Sequence, residues 1–173
     1  MRRLAILSAC LTALAVPAGA LALHASAGDG TLVVKNGSAP DGTPVVKLTV
    51  KSGSVIGQVA NGGKIIIDAG LNSSGSVEVT GAGNAHDVQV PKGTSAQWWA
   101  SNDTFKFRAV NGHFTIVIYG SGVNVFAVGS GNAVLQGMPD TPKGDGRYSL
   151  EGGDFVSLPG APTKQLLFGD NGN

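Results

Sequence analysis

The chain has 173 residues, with 12 basic and 11 acidic side chains, three histidines, one cysteine and 27 glycines. So even a charge balance excludes nucleic acid as a main partner, because a phosphate backbone demands clustered Lys and Arg. The length suffices for one domain with its own core, and one cysteine excludes a disulfide framework.

Met1-Arg2-Arg3 is followed by the apolar run Leu4 to Leu23, and Ala25-Ser26-Ala27 is a small-x-small cleavage signal. Residues 1–27 therefore read as a secretory signal peptide; Pro17 and Gly19 thin the run too much for a membrane anchor. Leu7-Ser8-Ala9-Cys10 has the look of a lipidation signal, but the apolar run continues past the cysteine instead of ending there. Cleavage near Ala27 removes Cys10 and leaves 10 basic against 11 acidic residues, a net charge of about −1. The expected location is extracellular or in the cell envelope, with no membrane span in the mature chain.

From there the chain is punctuated by glycine, which helices tolerate poorly. Short β-branched runs lie between: LVV (32–34), VVKLTV (45–50), KIIID (64–68), SVEV (76–79) and DVQV (87–90), then FKFRAV (105–110), HFTIVIY (113–119), NVFAV (124–128), AVLQ (133–136), RYSL (147–150) and FVSL (155–158). Several alternate apolar and polar, as a strand with one buried face does. The expected fold is all-β, an antiparallel sandwich or small barrel of about eleven short strands, with a β-solenoid as the alternative. Residues 28–168 form a single domain and 169–173 a flexible tail. Lys47, Lys51 and Lys64 read as solvated strand residues, and Phe105, Phe107, Phe114, Phe126 and Phe155 as core.

Between the fifth and sixth runs, Thr94 with Gln97 offers a capping-box pattern and one turn of helix. Trp98-Trp99 follows. In an extended segment adjacent side chains point to opposite faces, so one indole can be presented outward. With Tyr119 or Tyr148 it would form an aromatic platform able to stack on a sugar ring, which makes Trp98, Trp99, Tyr119 and Tyr148 the candidate ligand-binding residues.

Gly-Ser-Gly occurs at 120–122 and again at 129–131. A calcium-binding nine-residue repeat would need aspartate in phase, where Asn124 and Ala133 stand, so these glycines read as turns between strands. Set at an offset of 69, residues 52–67 match 121–136, and the order of later elements is kept. This points to two related halves, 45–91 and 114–159.

The series FKFRAVNGHFTIVIYGSGVNVFAVGSG, with RYSLEGG and LP after it, resembles a family of small secreted all-β bacterial proteins. The resemblance covers about 100–159 and implies an exported β-domain with no known activity and no site residues.

Catalytic chemistry has little to work with. No mature serine sits in a Gly-x-Ser-x-Gly elbow, and the mature histidines are His86 and His113, the latter read as a residue after an Asn-Gly hairpin turn. A Ser-His-Asp site would have to use one of them with Asp87 or Asp103. Two histidines and no cysteine do not make a zinc site, and the loop 140–146 is a weak calcium candidate. Asp41 before Gly42 has turn chemistry. Glu78 and Glu151 are expected on solvated faces. No catalytic residue, metal or cofactor is assigned. The expected function is non-enzymatic, structural or protein-binding, with an extracellular protein or a polysaccharide as partner; the alternative is a carbohydrate-binding module using Trp98 and Trp99.

Overall fold

A computed structural model describes residues 30–69, 75–81, 94–100, 104–139, 146–163 and 165–169; in 94–100 it describes the backbone and Ser95. The signal peptide, the DVQV run, His86, Asp87, Asp103, the loop 140–145 and residues 170–173 lie outside these. The ten strands are β1 (Thr31–Gly37), β2 (Val46–Val59), β3 (Gly63–Ala69), β4 (Ser76–Thr80), β5 (Thr94–Ala100), β6 (Phe105–Gly120), β7 (Val123–Leu135), β8 (Arg147–Leu150), β9 (Val156–Ser157) and β10 (Leu166–Phe168). All belong to one sheet in the order β5-β3-β6-β2-β7-β1-β8-β9, with β4 also on β6 and β10 also on β7. Every pairing is antiparallel. That is not the parallel stacking of a solenoid, and the sheet is not closed into a barrel.

Three strands are much longer than the sequence runs, and each is bent in the middle. In β2 the buried positions are Val46, Leu48 and Val50, then Val55 and Val59. The parity changes because the register slips between Val50 and Val55, a bulge that lets both ends keep their apolar side chains inward. β6 shows the same change: Phe105, Phe107 and Ala109 are buried before it, Phe114, Ile116 and Ile118 after it. Asn111, at φ 55°, sits between them, in a left-handed conformation that asparagine tolerates. Asn111-Gly112 is thus a bend inside β6 and not a hairpin turn; the runs 105–110 and 113–119 are one strand.

The bends divide the sheet into two leaves that share β2, β6 and β7. One holds β9, β8, β1 and β4 with residues 123–128, 54–59 and 105–110; the other holds β10, β3 and β5 with residues 131–135, 46–50 and 114–120. The buried faces of both belong to one hydrophobic cluster. With no helix among the described residues to cover either face, the leaves cover each other, as in a sandwich. Phe105, Phe114, Leu48, Ile65, Ile116 and Leu135 are fully buried there, each contributing about 1.5–3 kcal/mol by leaving water.

Some expectations change. Thr94 to Gln97 is strand and not helix, because the whole of β5 pairs with β3. Phe126 is half-buried, since β7 turns Val123, Val125 and Ala127 inward. Phe155 is exposed at 41%, with the Lys35 ammonium 4.3 Å from its ring centroid. The matched segments 52–67 and 121–136 take different courses: the first is strand, turn and strand, the second a turn and one continuous strand. Gly169, at the start of the expected flexible tail, donates its N–H to Glu151 Oε1 at 2.7 Å.

Candidate functional site

The four aromatic candidates divide between two regions. Trp98 stands opposite Ile65 in the register of β5 and β3, and Trp99 stands opposite Lys64. Lys64 is in turn opposite Tyr119 on β6. The register row Trp99, Lys64, Tyr119 therefore crosses three neighbouring strands, and the Lys64 ammonium lies 4.6 Å from the Tyr119 ring centroid. Tyr148 is elsewhere: on β8, opposite Val34 and Val156, half-buried against the core, with β1, β7 and β2 between its strand and β6.

Beside Tyr119 three connections meet. The β1–β2 loop, the β2–β3 turn and the β6–β7 turn frame a polar cleft of about 370 Å³ lined by Asp41, Thr43, Asn61, Lys64, Tyr119 and Ser121 among others. Its frame is tied together. Ala60 N–H donates to Gly122 O at 3.3 Å and Asn61 N–H to Ser121 O at 3.4 Å, while Gly122 N–H donates to Ser38 Oγ at 3.4 Å. Within the β1–β2 loop, Thr43 N–H donates to Pro40 O at 2.9 Å, so Asp41-Gly42 does occupy a turn.

A second surface lies on the outer face of the first leaf. Val33 of β1, Phe126 of β7 and Ile56 of β2 stand directly opposite one another in the register, and the row continues to Arg108 and Glu78. Ile56 is exposed, and the trough along this face has a volume of about 570 Å³ and includes Lys35 and Lys106. At one end, Ser149 Oγ donates to Gly153 O at 2.6 Å, which holds the loop after β8 over the sheet and leads to exposed Phe155 beside Lys35. Sequence reading missed this face because it assigned both phenylalanines to the core. The signal that could have found it is the alternation of β7 itself: Val-Asn-Val-Phe-Ala puts Phe126 out of phase with the buried valines.

Compared with family models, with curated proteins and with solved structures, the chain finds no match.

His113 is exposed on the bend of β6. Among the described residues there is no group of three His, Cys, Asp or Glu placed to hold a metal, and no helix is long and apolar enough to cross a membrane. Glu78 is exposed on β4 opposite Arg108. Glu151 is not on a solvated face: it is half-buried, and its Oε2 accepts from Gly30 N–H at 2.8 Å while Oε1 takes the Gly169 bond. One carboxylate thus ties the beginning of β1 to the end of β10, a structural use that two glycines 139 positions apart in sequence cannot announce.

Proposed function

We propose that the protein is an exported, non-enzymatic β-domain of the cell envelope or the extracellular space, and that it binds a protein partner through the outer face of the first leaf. The observation that carries this reading is the row Val33, Phe126, Ile56: three apolar side chains in direct register on the outward side of the sheet, where alternation normally places polar residues. Lys35 and Lys106 border it, while Arg108 stands opposite Glu78 at its far side, so the fitting partner brings an apolar centre and acidic groups facing the two lysines. The face is broad and shallow, which suits a macromolecule. Export is supported by the signal-peptide features of residues 1–27 and by the resemblance of residues 100–159 to small secreted proteins with no known activity.

The test is site-specific photo-crosslinking from Gln58, which lies within the trough, in cells that export the chain. One dominant adduct, lost when Ile56→Asp is introduced into a folded protein, is the expected result. Crosslinking that is absent, or that survives Ile56→Asp, would remove the outer face as the working surface.

A further inference from the structure

We propose that the cleft between the β1–β2 loop and the β2–β3 and β6–β7 turns is a saccharide site that takes one neutral hexopyranose unit. Its size is the first ground: about 370 Å³ is at the small end of ligand pockets, room for a single ring. The lining chemistry is the second. Sugar hydroxyls donate and accept at once, and the cleft offers the Asp41 carboxylate as acceptor, the Lys64 ammonium as donor, and the Asn61 amide and Ser121 hydroxyl as both. The third is the Tyr119 ring, which the Lys64 ammonium covers at 4.6 Å. When that ammonium swings to a ligand hydroxyl, the ring face it leaves is one a pyranose C–H face packs against.

The charges decide which sugar. The described residues lining the cleft include one carboxylate and one ammonium, whose charges balance, so a phosphorylated or polyanionic ligand gains no net attraction from them. Among the described residues the Lys64 ammonium is held by the Tyr119 ring and not by a carboxylate, so it turns to a hydroxyl oxygen without breaking an ion pair. The frame is ready in advance, because the hydrogen bonds between the two turns and from Gly122 N–H to Ser38 Oγ hold the walls before any ligand arrives, and little ordering cost remains. Beyond the cleft the register row runs from Tyr119 through Lys64 to Trp99. At a spacing of about 4.8 Å per strand, the backbone position of residue 99 stands roughly 10 Å from that of Tyr119, so a longer glycan leaving the cleft in this direction crosses β3 and β5.

This site is separate from the outer face and stands or falls independently of it. The experiment is calorimetric titration of the exported protein with methyl glycosides of glucose, mannose, galactose and N-acetylglucosamine, and with linear hexasaccharides of the same sugars. At least one methyl glycoside is expected to bind at about millimolar Kd or tighter, and its hexasaccharide more tightly. Asp41→Ala and Asn61→Ala, both at exposed positions, each weaken binding by about tenfold or more with unchanged circular dichroism, while Phe126→Ser leaves it as it was. The proposal is overturned if no probe binds, if binding survives both cleft substitutions, or if Phe126→Ser is the change that abolishes it.

Discussion

The same three residues, Gly-Ser-Gly, do opposite things at 120–122 and at 129–131. In the first the chain reverses: β6 ends, Ser121 and Gly122 turn, and β7 begins. In the second the chain runs on inside β7 and only bends, with Gly129 and Gly131 opposite Gly53 and Val50 of β2. Both Gly122 (φ 64°) and Gly129 (φ 126°) need backbone that side-chain-bearing residues avoid. Positive φ therefore marks where a strand departs from regularity. Whether that departure becomes a turn depends on the strands alongside: β2 pairs with β7 on both sides of residue 129 and carries the chain past it.

The most damaging way to break this contrast is Gly129→Ala. A Cβ there would collide with the Ser52 carbonyl oxygen of β2, and backbone on both sides has no room to yield. A loss of about 3 kcal/mol or more is expected from conformational strain plus overpacking, read as a lower urea midpoint at unchanged m-value. A normal midpoint would mean that the bend is soft. Somewhat smaller is the loss expected for Glu151→Ala, which removes the carboxylate that accepts from Gly30 and Gly169 N–H beside that bend, where Gly129 N–H donates to Gly30 O at 2.8 Å. Two charge-assisted bonds, one to a buried and one to a half-buried donor, are together worth about 2–3 kcal/mol, and amide exchange at residues 30 and 169 should rise well above that within the adjoining strands β1 and β10.

Gly122→Ala comes third, at about 1–2 kcal/mol. There the strain of a left-handed conformation remains, but the new atom meets the Ala60 Cβ at 2.8 Å in a turn that can shift. If Gly122→Ala proves costlier than Gly129→Ala in the same urea series, the contrast is reversed. The smallest effect on stability is expected on the outer face. Ile56→Thr should change the unfolding free energy by less than about 1 kcal/mol, because the side chain is 38% exposed, yet weaken the partner adduct severalfold. A large loss of stability with no loss of adduct would make Ile56 a packing residue.

Much of the fold was legible in the residues. Val77 and Val79 of β4 and Ile65 and Ile67 of β3 lie on the buried face that their alternation indicates, because a pleated strand has only two sides. Less of the candidate sites was. Tyr119 and the tryptophans were visible as aromatics, but the contribution of Asn61 and Lys64 to one cleft rests on connections whose lining residues, Asp41 to Ser121, lie as many as 80 positions apart, and no local pattern records that. Phe126, Phe155 and Glu151 were misplaced for a common reason: apolar side chains were assigned inward and charged ones outward without knowing which face each element would cover.

By itself the sequence determined that this chain is all-β, since frequent glycines defeat helices and alternating β-branched residues favour strands with one buried face. It also determined where the chain departs from regular strand. Only the tertiary structure decided which departures are turns and which are bends, how three long strands serve two leaves, and which aromatic stands beside which lysine. Those outcomes depend on pairings between distant strands, whose register is set by the whole sheet and by no short stretch within it.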